Sequence, residues 1–228
     1  MYNKVIVMPT YRRADYTKTV LEGMKSCYGI EDYKVFIHHE PGYPEVLDII
    51  NDSSELNITI IENDNVLGLN QNIYNCLSHG FSLSDYVIYL EDDVVPTKDC
   101  LKYFEWARDK YANDPDVFSV TSYNRQVVPI EDNFKIHRRQ WFVPWGWATW
   151  KNRWEEIKTK WTFNTGCDSI MNHSVRGDRC QIEPKLARTQ NIGATRGVNV
   201  MEPEWHKDNQ YNEYWAGIVE LGKGEFHE

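Results

Sequence analysis

The sequence predicts an α/β domain built on a Rossmann-like, mostly parallel sheet, on three observations. Short apolar runs alternate with helix-period segments as far as residue 121. Polar residues close four of those runs, at the strand ends where open parallel sheets bind ligands. Beyond residue 121 the alternation stops, and six of the nine tryptophans fall in Trp141–Trp161, marking a Trp-rich subregion.

The elements follow in order. Lys4–Met8 is a β-branched run ending in Pro9-Thr10-Tyr11-Arg12-Arg13. Asp15 can cap a helix whose apolar residues Val20, Leu21, Met24 and Cys27 share one face. Val35–His39 is a second strand, broken by Pro41-Gly42, and Pro44 suits the first turn of a short helix through Ile50. Asn57–Ile61 is a third strand. Leu69, Ile73, Cys76 and Leu77 line a helix expected to stop at Gly80. Tyr86–Leu90 reads as a buried strand. Leu101, Phe104, Arg108 and Tyr111 follow at helical spacing before Pro115, and Val117–Val120 is a fifth strand.

At 228 residues the chain suffices for one large domain. Its 41% hydrophobic and 14% aromatic content describes a folded globule. No apolar run reaches the length of a membrane span and the chain enters a strand directly, so no transmembrane segment and a cytoplasmic location are expected. Five widely spaced cysteines without a CxxC read as buried thiols. The net charge of -9 argues against a general nucleic-acid binder, but it is uneven. Residues 134–200 hold 12 Lys and Arg against 5 Asp and Glu, so the remainder carries -16. A basic half joined to an acidic half suggests different ligands for the two.

Glu91-Asp92-Asp93 carries the chemistry. Three consecutive carboxylates raise one another's pKa unless something positive neutralises them, and a divalent cation is the obvious candidate. Strand alternation would put Glu91 and Asp93 on one face and Asp92 on the other. The polar ends Pro9–Arg12, His39-Glu40 and Glu62-Asn63-Asp64 should converge on the same cleft. GxGxxG after the first strand, GxxxxGK[ST] and the zinc-deaminase pattern are absent, which argues against dinucleotide oxidoreductases, P-loop NTPases and deaminases. A diphosphate would then need a metal as counter-charge. Mg²⁺ or Mn²⁺ commonly binds through one or two carboxylates plus substrate phosphates.

In the second half, Trp145-Gly146-Trp147-Ala148-Thr149-Trp150 offers flat indole faces suited to a sugar ring or a base. At least half of the six tryptophans in Trp141–Trp161 are expected to fill a small second core instead. Asp168 precedes a helix-like stretch, Ser169–Val175, where N-capping is the plain alternative to catalysis.

Taken together, the opening strand with Pro9–Arg12, the acidic triplet, the Trp145–Trp150 stretch and Pro184 through Gln190-Asn191-Ile192-Gly193 resemble a metal-dependent GT-A glycosyltransferase over about residues 3–200. The triplet is similar to that of the N-acetylglucosaminyltransferase I-like enzymes and of many bacterial and viral ones. The resemblance implies a donor-binding half, 1–121, and an acceptor-binding half with a C-terminal segment, 122–228. It implies that Asp93 coordinates Mn²⁺ or Mg²⁺ on the donor diphosphate, while Asp92 meets the donor sugar and Glu91 the ribose. Pro9, Thr10 and Arg12 would line the nucleotide pocket, and Glu40 would meet the base edge. Asp168 would be the catalytic base of an inverting transfer from a nucleotide-diphosphate sugar, with a UDP-sugar as the expected donor, to an acceptor hydroxyl. Trp145, Gly146 and Trp147 would contact the acceptor, a glycan or, given the basic aromatic half, a modified base in nucleic acid. A metal-proximal histidine is expected after the Asn191-Ile192-Gly193 stretch, near Gly197-Val198-Asn199, and His206 is the candidate. The rival readings are a sugar nucleotidyltransferase, for which Pro9–Arg13 lacks a glycine loop, and a non-catalytic carbohydrate or nucleic-acid binding module.

Overall fold

The computed structural model describes residues 4–126, 130–193 and 224–228. In chain order these form β1 (Val5–Thr10), α1 (Ala14–Lys25), β2 (Lys34–His39), α2 (Pro44–Asn51), β3 (Ile58–Glu62), α3 (Leu69–Leu83), β4 (Tyr86–Tyr89), β5 (Val94–Pro96) and α4 (Cys100–Tyr111). There follow β6 (Val117–Thr121), β7 (Ile136–Arg139), β8 (Trp147–Trp150), α5 (Lys151–Lys160), α6 (Cys167–Ile170), β9 (Cys180–Pro184) and β10 (Thr189–Asn191).

Eight strands make one sheet in the order β3-β2-β1-β4-β8-β6-β9-β7, and β10 pairs with β5 beside it. The first four strands are parallel, as the strand–helix alternation predicts. The chain winds outward from β1 to β3, then returns to place β4 on the other side of β1. That reversal is a topological switch point, which opens a crevice at the carboxyl ends of β1 and β4. Pro9 lies beyond the last β1–β4 pair, Val7–Tyr89, so its missing N–H costs that ladder nothing.

Two apolar layers cover the sheet. On one face, Val20, Leu21 and Met24 of α1 and Leu101, Phe104 and Ala107 of α4 pack on Ile6, Met8, Val35 and Ile88. On the other, Ile73, Cys76, Leu77 and Phe81 of α3 join Trp154 and Ile157 of α5 against Val5, Val7, Val87 and Tyr89. The period of two along β4 sends Ile88 to one layer and Tyr89 to the other. All five cysteines are free and buried. Among the described residues no helix is long and apolar enough to cross a membrane.

Three expectations change here. Asp15 does not cap α1: Arg13 holds the N-cap position, no side chain caps the helix, and Asp15 lies in its first turn. The helix expected to stop at Gly80 runs through it to Leu83. Gly80 is there because α3 presses on the sheet: a Cβ would sit 2.8 Å from Val7 Cγ1 and 2.9 Å from Val87 Cγ1. The stretch Trp147–Trp150 is not part of a small second core either. It forms β8, an antiparallel strand between β4 and β6 at the centre of the main sheet. Alternation sends Trp147 to one apolar layer and Trp150 to the other.

Candidate active site

The acidic triplet lies in the turn between β4 and β5, at the switch point. β4 ends at Tyr89, and the Val94 N–H donates to the Glu91 carbonyl at 3.1 Å, so residues 91–93 bend rather than continue the strand. The expected alternation therefore fails. Asp92 and Asp93 turn to the same partner, and Glu91 turns away from it. Arg13, just past β1, donates Nη1 to Asp93 Oδ2 at 2.6 Å and Nη2 to Asp92 Oδ1. Glu91 accepts the Tyr89 hydroxyl at 3.1 Å.

The electrostatics follow from burial. Burial, then the nearby Asp93 charge, pushes the Glu91 carboxyl up from its ordinary value. Burial also raises Asp92, with the Arg13 guanidinium opposing it. Burial works against the charge on Arg13, but Asp93 and Asp92 outweigh it and its pKa rises. Arg13 thus supplies part of the counter-charge that the triplet demanded.

A second motif meets the first across about a hundred residues. β10 pairs antiparallel with β5, Asn191 opposite Val94, and the Ile192 N–H donates to the Asp93 carbonyl at 2.8 Å. Asn191 Nδ2 makes a long contact of 3.5 Å with Asp93 Oδ1, and its Oδ1 accepts the Gly193 N–H at 2.8 Å. A Cβ on Gly193 would collide with Asp93 Oδ2, so only glycine lets the backbone close over that carboxylate. Among the described residues no three His, Cys, Asp or Glu side chains gather as a complete metal cage. Asp93 Oδ1 has, among the described residues, only the long contact from Asn191, and a carboxylate so placed fits a cation such as Mn²⁺ or Mg²⁺ that completes its shell with phosphates and water.

The other predicted residues are placed as follows. Pro9 and Thr10 are buried within β1, and the Thr10 hydroxyl lies 3.1 Å from His39 Nδ1. Arg12 is exposed, its guanidinium 5.9 Å from the Tyr11 ring centroid. Tyr11 packs edge-on against Tyr43 beside the same strand ends, 5.0 Å between centroids. Glu40 is buried and already engaged: its carboxylate accepts the N–H of Leu67 at 2.8 Å and of Gly68 at 3.1 Å, anchoring the turn into α3. Asp168 lies in the first turn of α6. It is not an N-cap: Gly166 holds that position and no side chain caps the helix. The Asp168 side chain is exposed, while Cys167 beside it is buried. Burial, then the Glu91 carboxylate, pushes the Cys167 thiol up.

Trp145 is half-buried, edge-on to Tyr123 at 4.8 Å. Gly146 has φ +70°, and its carbonyl accepts the Ser122 N–H at 2.8 Å. Trp147 contradicts the expected acceptor contact of its side chain. It is 0% exposed, packed against Phe142 and Tyr89 with centroids 5.0 and 5.8 Å away. Its role is to back the Tyr89 that holds Glu91. Gly197-Val198-Asn199 and His206 lie outside the described residues.

Sequence reading gave no role to Arg13 or Tyr43, and quoted Asn191 only as part of a matching stretch. Arg13 had a signal: buried carboxylates at the end of β4 need a counter-charge, and β1 is the neighbouring parallel strand. Tyr43 had none, because its approach to Tyr11 depends on how the turn before α2 folds.

The structures that superpose on this parallel 3-2-1-4 arrangement, with its acidic turn at the switch point, have the GT-A class of fold. A mannosyltransferase from Pyrobaculum calidifontis, solved with GDP-Man and Mn²⁺, superposes with a TM-score of 0.62 at 17% identity, covering 86% of this chain and 58% of that one. S. aureus TarS, solved with UDP-GlcNAc, gives 0.61 at 11% identity over 82% of this chain and 57% of that one. The chain belongs to the GNT-I family, which matches residues 67–200. An alpha-1,3-mannosyl-glycoprotein 2-beta-N-acetylglucosaminyltransferase of Arabidopsis thaliana is 29% identical over 109 residues, which make up 47% of this chain and 24% of that protein. The chain therefore spans about a quarter of that relative's length.

Proposed function

We propose that this chain is a glycosyltransferase that moves a sugar from a nucleotide-diphosphate sugar, a UDP-sugar, to an acceptor hydroxyl on a glycan, with inversion. One observation carries the reading. Asp92 and Asp93 are held by Arg13 at the switch point, the backbone at Gly193 closes over Asp93 Oδ2, Asp93 Oδ1 has only a long contact from Asn191 among the described residues, and Asp168 is exposed in the first turn of α6. Family membership and the donor named for one fold neighbour, UDP-GlcNAc, support the donor class.

Asp93 would hold a divalent cation, with His206 as a further candidate ligand. The cation would supply Lewis-acid stabilisation of charge on the departing phosphate oxygens. The chain's own groups do the rest. Asp92 and Arg13 fix the orientation of the acidic turn and the approach of the donor sugar. Tyr89 holds Glu91 toward the ribose. Thr10, Arg12 and Tyr11 border the nucleotide at the end of β1, and Trp145 and Gly146 border the acceptor. Asp168 takes the proton of the attacking hydroxyl, a role worth roughly 10²–10⁴ in rate. A single base opposite the leaving group gives inversion.

Asp168→Asn is expected to abolish transfer while nucleotide affinity stays within about twofold, because the amide keeps the shape and loses the proton acceptor. Transfer rates and nucleotide titration on the same preparation check this. Wild-type turnover by the variant would remove Asp168 from the mechanism.

A further inference from the structure

We propose that Asn172 is a positioning residue for Asp168, a role that rests on Asp168 acting as the base. The α6 turn is only four residues long, Cys167–Ile170, and it runs on into a widened π-turn over Met171–Val175. The Arg176 N–H closes that turn on the Met171 carbonyl at 3.0 Å. So short a helix cannot fix a side chain through its own ladder. Widened turns of this kind recur at functional sites.

Asn172 supplies the missing restraint. It is 8% exposed, and its amide makes three hydrogen bonds. Oδ1 accepts the Phe142 N–H at 2.7 Å, and Nδ2 donates to the Phe142 carbonyl at 3.1 Å and to the Asp168 carbonyl at 3.0 Å. Phe142 is itself buried edge-on against Trp147 of the central strand β8. One amide thus ties the peptide of Asp168 to the sheet that presents the acidic triplet. Ile170 and Met171 already bury the turn's apolar face, so cohesion alone does not call for an amide at residue 172. A buried amide placed here fixes direction, because its bonds form only in one orientation. Asn172 acts through Asp168 and not on the substrate.

The test needs no acceptor. With water in its place, the water oxygen bonds to the anomeric carbon, the bond to the phosphate oxygen breaks, Asp168 takes the proton and the nucleoside diphosphate leaves. Hydrolysis of UDP-GlcNAc and of GDP-Man by the full chain is followed by release of the free nucleotide. Rates are normalised to the nucleotide-binding stoichiometry, so that loss of folded protein is not read as loss of turnover. Asn172→Ala is expected to lower kcat about 10- to 100-fold with nucleotide Kd within twofold, as a displacement near 1 Å can cost. Asn172→Asp keeps the Phe142 N–H bond and loses both donations, and serves if the alanine variant does not fold; the same loss is expected. In an Asp168→Asn background, the Asn172 substitution should cost nothing further, since the two act as one unit. Wild-type turnover in the Asn172 variants overturns the proposal, as does an undiminished loss in the Asp168→Asn background. Hydrolysis that is indifferent to Asp168→Asn overturns the base assignment itself, and hydrolysis of neither donor overturns the transferase reading.

Discussion

Asp92 and Asp93 share one guanidinium, and that sharing sets what each residue at the site can do. Arg13 reaches both carboxylates from the end of β1 and is itself half-buried. Removing one partner of a buried ion pair leaves charge without compensation, at a cost of about 3–5 kcal/mol. Arg13→Ala is expected to lose about that much stability in urea without divalent cation, and to recover part of it when Mn²⁺ is added. A variant as stable as the parent, or one indifferent to Mn²⁺, would contradict the shared counter-charge. At this scale the sequence was a partial guide. Glu91–Asp93 stand out because adjacent carboxylates are costly, and Asn191–Gly193 because they match a pattern. Glu40 could not be read in the same way: its carboxylate is spent on the Leu67 and Gly68 N–H groups, a bond set by the loop between β3 and α3. The alternation argument also failed at the triplet, since it holds only while the strand continues and β4 stops at Tyr89.

Among the elements, the packing of α3 on β2 brings two histidines together. His38 Nε2 lies 3.1 Å from His79 Nδ1, and His38 is buried beneath the helix. Burial, and then the charge of a protonated His79, pushes the His38 pKa down to about 4. The unfolded chain titrates near 6.5, so between those values it binds more protons than the fold does. Stability is expected to hold above pH 6.5 and to fall as the pH drops toward 4, by up to about 3 kcal/mol. Denaturant midpoints across that range should show the fall, and His38→Gln should flatten it. An equal pH dependence in the variant would place the titrating group elsewhere. Most elements were legible because their apolar period is clear. Gly80 misled for a physical reason, since a glycine that admits a neighbouring strand carries the same letter as one that ends a helix. β8 was hidden because its pattern of large rings gives no sign that it inserts between β4 and β6.

For the whole molecule, the topology explains the site. Reversal of strand order at β1 makes the crevice, and β8 ties the second half of the chain into the sheet of the first. Several of the basic side chains of residues 134–200 are paired within the fold, and Arg188 and Arg138 pair with acids outside that stretch. Arg188 meets Asp99, Arg179 meets Glu156, Arg139 meets Glu183, and Arg138 meets Asp114 and Glu228. Trp147, Trp150 and Trp154 are buried, so half of the six rings in Trp141–Trp161 are withdrawn from stacking on bases. A labelled single-stranded oligonucleotide is therefore expected to bind weakly at physiological salt, with a Kd no tighter than about 10⁻⁴ M. Tight binding that collapses steeply with added salt would revive a nucleic-acid acceptor. The central claim is that Asp93 and its surroundings form a metal-assisted nucleotide site. Calorimetric titration of the chain and of Asp93→Ala with UDP, GDP, CDP and TDP, each with Mn²⁺ and with EDTA, tests it most directly. The account predicts that UDP binds the parent chain with Mn²⁺, binds at least tenfold more weakly in EDTA, and loses that metal dependence in Asp93→Ala. Folded parent protein that binds none of the four nucleotides, or a variant with unchanged metal dependence, would contradict it.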